Sequence, residues 1–559
     1  MNAARLVFTC LFGVNIATAQ AAKGITPAPE VLAEMPAIAV EETPPTVEQP
    51  QPTAAPSAIG SNAEPASPEP STTAPTISPL APAPTFEVAH PAPAAPSAIG
   101  SNPAPSAANA LTLDAPEPDT QSSFRVESPF FKRQSRVVRR AHFDIPALDV
   151  SENIGQGFWP SMRQSMALSK DTYYLFHSLV LSFPYPKWVP QWLGDVVDIT
   201  ALTFLDYYLV YFPPAHGWMH EEWHRAVMSR RRIHSFNDVY NLEIGAELIN
   251  VSHERDEDLA RLKREHPAEQ VRMSAAGLEG DVMAITEFDK DRFFGGARAS
   301  TVVTEWLNLI GVVSYFGESG PSSDETTREH EALEGARVEV RDFTGLDPNG
   351  WVYDLFRPDE PYSARGVHPS GVGIDRYRSW SDLTARERRF LRAQLGLSWL
   401  NVINPQLFGL YAFEVGTARG LPVSINASVQ HLLAPFDYSV GLNLFAKAGP
   451  YGAFASLQAF VADRGPLPGL SLELVRYPLP FLDATLTPRM RLWLQPKNQR
   501  FFAKSGAPGG ALEVRANVPL VGPLEFYLEA SAKSAGWVPG NVYLDPNVNL
   551  RSGFEATIF

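Results

Sequence analysis

"ALEVRANVPLVGPLEFYLEASAK", residues 511–533, decides the fold. Leu512, Val514, Ala516, Val518 and Leu520 alternate with Glu513, Arg515 and Asn517. After a Val-Gly-Pro break, Leu524, Phe526, Leu528, Ala530 and Ala532 alternate with Glu525, Glu529, Ser531 and Lys533. Successive side chains of a strand point to opposite faces, so a period of two gives each segment one apolar and one charged face. The texture recurs at 439–448, where Val440, Leu442, Leu444, Ala446 and Ala448 oppose Ser439, Gly441, Asn443 and Lys447. It returns in the terminal run of Leu550, Ser552, Phe554, Ala556 and Ile558. From 404 to 559, Gly and Pro separate such segments, which predicts antiparallel strands joined by turns.

Strands of about ten residues with one apolar and one charged face suit a membrane β-barrel, in which lipid takes the first face and the lumen the second. Residues 404–559 resemble the outer-membrane β-barrel proteins of Gram-negative bacteria. The resemblance implies a C-terminal antiparallel β-barrel with outer-membrane lipid as a partner. The terminal Phe559 falls on the face of Arg551, Glu555 and Thr557, one residue out of the register those proteins show. A soluble sandwich with one wet face is the competing arrangement.

The 559 residues leave room for several domains, and 45% hydrophobic with 19% charged content is that of a folded protein. A net charge of -15 without a long Lys/Arg stripe excludes nucleic acid as the expected partner. Residues 1–21 read as an export signal: Arg5, the apolar run Leu6 to Ile16, and small residues at Ala17-Thr18-Ala19 or Ala19-Gln20-Ala21. The one cysteine, Cys10, lies inside it, so neither a disulfide nor a cysteine-ligated metal is expected after cleavage. Residues 22–122 are rich in Pro, Ala, Ser and Thr with few aromatics and read as a disordered linker. "APSAIGSN" occurs there twice, at 55–62 and 95–102, as repeat expansion would leave it. "FKRQSRVVRR" then clusters Lys132, Arg133, Arg136, Arg139 and Arg140, as a solvated flank or a contact for anionic lipid.

Residues 123–403 read as mainly helical, with aromatic-rich stretches such as "DTYYLFHSLVLSF" and "STVVTEWLNLIGVVSYF". Within them "HGWMHEEWHRAVMSRRR", 216–232, spaces three histidines four apart. Pro213 and Pro214 fit a first helical turn, so His220 and His224 share a face and both imidazoles reach one cation about 2 Å away. Glu221 stands beside them, placed to take a proton from an attacking water. Arg225, Arg230, Arg231 and Arg232 are expected to complement the helix C-terminus and continue into solvent.

His220-Glu221-Glu222-Trp223-His224 resembles the H-E-x-x-H motif of the zincin metallopeptidases. The resemblance covers about seventy residues, and it implies a Zn2+ held by His220, His224 and a carboxylate from a downstream helix. "AEQVRMSAAGLEGDVMAITEFD", 268–289, offers that helix. Val271, Ala275, Leu278, Val282 and Ile285 form its apolar stripe, and Ala275, Ala276, Gly277 and Gly280 let another helix approach. As in the glutamate-type zincins, Glu279 is the implied third ligand, with Asp281 as substitute; Met283 stands where a further carboxylate is usual. A partly exposed histidine face without metal is the plainer alternative. A di-iron bundle or a desaturase would need further E-x-x-H or histidine boxes that the sequence lacks.

These features predict an α+β multidomain protein: export signal, linker, helical zincin-like region and C-terminal barrel. The expected function is that of an exported zinc-dependent hydrolase, a peptidase acting on a peptide or protein at the outer membrane or in the periplasm. The alternative is a non-enzymatic barrel, a channel or assembly component, whose histidine cluster is structural or vestigial.

Overall fold

The computed structural model describes residues 125–127, 141–155, 159–182, 185–186, 188–242, 249–296 and 300–558, all within one compact unit that begins at residue 119. The expected export signal, the expected linker with its duplicated octapeptide, the basic cluster at 132–140 and Phe559 lie outside the described residues. Ten α-helices lie among the described residues: α1 Val150–Gly155, α2 Met162–Val180, α3 Gln191–Leu209, α4 His216–Arg230, α5 Asp256–Glu265, α6 Pro267–Gly295, α7 Thr301–Glu318, α8 Ser323–Glu334, α9 Asp347–Phe356 and α10 Ala385–Ser398.

The alternating segments form the expected strands, β7 Asp437–Ala448, β12 Gly506–Val521, β13 Leu524–Lys533 and β14 Asn547–Ile558. With β5 Ala412–Ala418, β6 Leu421–Ala434, β8 Tyr451–Phe460, β9 Leu467–Val475, β10 Tyr477–Leu479 and β11 Ala484–Pro496 they build a twelve-stranded antiparallel sheet. Its remaining strands, β1 Arg125–Glu127 and β2 Ala141–Asp149, come from before the helices and pair with β5 and β14 respectively. In β2, Pro146 sits at a register irregularity beside Ser552 and Gly553, as a residue lacking an N–H must. The helices thus lie between two stretches of one sheet. Within the described residues its two outermost strands, β1 and β2, do not pair with each other, so the sheet is not closed by hydrogen bonds into a barrel.

The two faces of the sheet differ sharply in chemistry. Glu473, Glu513, Glu529, Arg551 and Glu555 are buried on the face turned toward α2 and α6. Leu457, Leu492, Leu512 and Leu528 are about half exposed on the other, at 50%, 50%, 56% and 46%. The main core lies among the helices, where Trp223, Met219 and Met228 of α4 pack with Met273, Ala276 and Phe288 of α6. A second core joins α6 to the sheet through Leu278, Val282, Trp351, Phe436, Phe460 and Trp537.

The expected apolar stripe of α6 is buried, Val271, Ala275, Leu278, Val282 and Ile285 each at 5% exposure or less. Its small residues set the spacing to α4: a Cβ on Gly280 would stand 3.0 Å from the Trp223 ring. No helix among the described residues is long and apolar enough to cross a membrane.

Candidate metal centre

α4 begins at His216, immediately after Ala215, so Pro213 and Pro214 precede the helix instead of forming its first turn. From that start His220 and His224 fall one turn apart on the face packed against α6, their rings 4.9 Å apart. Each imidazole is oriented by a partner at Nδ1. The Nδ1 of His220 is 2.9 Å from Asp281 Oδ2, and that of His224 is 2.5 Å from the Met273 carbonyl oxygen, to which it can only donate. Engaging Nδ1 fixes the tautomer that leaves Nε2 as the ligating atom, the usual arrangement behind a metal-bound histidine.

Both Nε2 atoms converge on Asp347 Oδ2, at 3.1 Å from His220 and 3.0 Å from His224. His220, His224 and Asp347 are a three-donor group whose ligand atoms lie within 4.8 Å of one another. Asp347 opens α9, ahead of Pro348, and its N–H donates to Tyr315 Oη of α7 at 3.1 Å. Space for the group comes from α6: a Cβ on Gly277 would lie 2.3 Å from His220 Nε2 and 2.4 Å from His224 Nε2. Two imidazoles and one carboxylate around a glycine-made gap fit a small divalent cation, with a fourth position left open.

Charge supports the same fit. Burial opposes protonation of His220, but Asp281 and Asp347 outweigh it and hold the imidazole well above its usual range; burial opposes protonation of His224 too, and Asp347 outweighs it and raises that imidazole. Burial likewise opposes ionisation of Asp281 and Asp347, yet the neighbouring imidazoles keep both carboxyls below their ordinary range. The pocket therefore demands positive charge, which two protons or one divalent cation can supply.

The other expected residues are placed as follows. Glu221 is on α4, 7% exposed, and burial pushes its carboxyl up to about 7 against the pull of His220 and His224. His216 Nε2 lies 3.0 Å from Asp281 Oδ1, so Asp281 bridges two imidazoles from behind. Glu279, fully buried, is directed away from the histidines. Its Oε1 receives Arg272 at 3.1 Å and the Gly540 N–H at 2.9 Å, and its Oε2 receives Trp537 Nε1 at 3.1 Å. The carboxylate beside the histidines is Asp347 in its place, because α6 presents Gly277 to them and turns Glu279 toward the sheet. Arg225 is not solvated: it is 1% exposed and pairs with Glu222 at 2.6 Å. Arg231 pairs with Glu269 at 2.5 Å.

Asp347 was invisible to motif reading, since it is 127 residues from His220 and "GLDPNG" reads as an ordinary turn. Comparison with protein-family models, with curated proteins and with solved structures gave no match.

Proposed function

We propose that this protein is an exported zinc-dependent hydrolase, a peptidase, whose sheet seats it in an outer membrane. One observation carries the reading: His220 and His224, their Nδ1 atoms engaged, aim both Nε2 atoms at Asp347, and all three lie within electrostatic reach of Glu221. A zinc ion held by His220, His224 and Asp347 would supply Lewis acidity for a carbonyl and acidify a water ligand. Asp281 and the Met273 carbonyl hold the imidazoles in place. Glu221 Oε takes the proton of the attacking water and returns it to the departing amide nitrogen. Tyr315, anchored by the Asp347 N–H, keeps its own hydroxyl proton for a substrate oxygen.

Support for the membrane location is the face chemistry of the sheet. A soluble sandwich buries its apolar faces, whereas here Leu512 and Leu528 are exposed and Glu513 and Glu529 are buried. The purified full chain should contain stoichiometric zinc and cleave members of a broad peptide library, with activity lost to a chelator and restored by zinc. Stoichiometric zinc without cleavage of any member would favour the structural alternative, a non-enzymatic barrel. No zinc binding would remove the hydrolase and leave the non-enzymatic reading with a vestigial cluster.

A further inference from the structure

Between the charged face of the sheet and helices α2 and α6 lies a cavity of about 590 Å³. Arg163, Lys290, Arg489, Arg491, Glu473 and Glu529 are among its lining residues. Its cations are nearly all matched. Arg163 lies 2.6 Å from Glu513, Lys290 2.9 Å from Glu473, and Arg489 3.2 Å from Glu473 while also pairing with Glu513. Arg551 takes Asp149 and Glu529, at 2.8 Å and 2.5 Å. Lys170, Arg476 and Arg515 have carboxylate partners, and Lys447 has the Phe294 carbonyl.

Arg491 is the exception among the described residues, with neither an ion pair nor a hydrogen bond, although it lines both this cavity and the smaller one beside Lys533. Its position follows from register. On β11 it is two residues from Arg489 on the same face, with Ser471 of β9 and Ala511 of β12 opposite, so neither ladder neighbour carries charge. Of the two carboxylates nearest in charge terms, Glu513 is already shared by three other cations and Glu473 by two. A half-buried guanidinium that no carboxylate or carbonyl meets keeps its donors free, and its planar fork suits two oxygens of one anion.

We infer that Arg491 is the anchor of an oxyanion-binding site inside this cavity, for a carboxylate or phosphate group. The site is separate from the histidine cluster and does not depend on metal.

The test is thermal unfolding of the purified full chain at constant ionic strength, with inorganic phosphate or acetate replacing chloride. A saturable rise in melting temperature is expected for the parent and for Arg464→Gln, an exposed arginine outside the cavity, and its loss is expected in Arg491→Gln. A rise with phosphate alone would assign the site to phosphate groups, and a rise with both to oxyanions in general. No saturable rise in the parent, or an undiminished one in Arg491→Gln, overturns the inference. Should Arg491→Gln not fold, equilibrium dialysis of the parent against labelled phosphate and labelled acetate decides. Stoichiometric uptake of either supports the site, and absence of both overturns it.

Discussion

At the scale of single residues, the roles of the cluster separate by what each substitution removes. His220→Ala, His224→Ala and Asp347→Ala each delete a donor and should lower zinc content and turnover together. Glu221→Gln keeps all three donors, so zinc and fold should survive while turnover falls by about 10²–10⁴, the usual effect of losing a general base. Gly277→Ala removes no ligand, yet its Cβ would stand within 2.4 Å of both Nε2 atoms, so it should abolish zinc binding as fully as a histidine deletion. Metal analysis on the purified variants reads all five, and zinc retained by Gly277→Ala would contradict the geometry. Glu279→Gln should instead keep zinc in the folded fraction and lower stability, since it unbalances a buried pair with Arg272. The histidines were legible because a helix repeat brings residues four apart onto one face. Asp347 was not, because its partnership is made by tertiary packing of α9 on α6, for which no local spacing rule exists.

Helices act here as carriers, and α9 shows how a distant contact positions a member of the His-His-Asp cluster. Asp354, two turns beyond Asp347 and fully buried, accepts from Lys263 of α5 at 2.9 Å, Gln270 of α6 at 3.1 Å and Arg365 at 2.9 Å. Burial raises its carboxyl, but Arg365 and Lys263 outweigh burial and hold it down at about 2. A carboxyl below its ordinary value stabilises the fold above that value, so this contribution should be present above about pH 4 and fade as pH falls toward 2. Asp354→Asn strands two buried cations and should cost about 3–5 kcal/mol, measured by denaturant unfolding at neutral pH. It should also flatten the acid limb of the stability profile and weaken zinc binding, since Asp347 rides on the same helix. Unchanged zinc affinity would show that α9 is fixed by its apolar contacts alone. The helix itself was hard to see in sequence, with Pro348 and Gly350 inside ten residues; Pro is tolerated in the first turn and Gly350 makes room for Thr344. By contrast α6 was plain from its apolar stripe, although the period could not say that Glu279 would turn to the sheet.

For the whole molecule, the alternation in 404–559 made the strands legible, and it could not tell which face would be covered. The helices answer that: α2 and α6 lie against the charged side, with Arg163 reaching Glu513 and Lys290 reaching Glu473, so the apolar side is left outward. Nor did it announce that β2, from before the helices, would extend the sheet beyond β14. If the outward face meets lipid, Leu512→Arg and Leu528→Arg should each impair membrane assembly by about 2–4 kcal/mol near mid-bilayer. The charged face obeys a different rule. Glu529 sits 2.5 Å from Arg551 in a closed network, so Glu529→Gln should leave the protein in the membrane but lower its unfolding midpoint, whereas a lumen residue in open water would tolerate the change. Both readouts come from one preparation: the share of each variant kept in the membrane pellet after a high-salt and urea wash, and the unfolding midpoint of what is then extracted with detergent. Leu512→Arg and Leu528→Arg retained as fully as the parent would place the apolar face away from lipid, and extraction of the parent by salt alone would remove the membrane reading altogether.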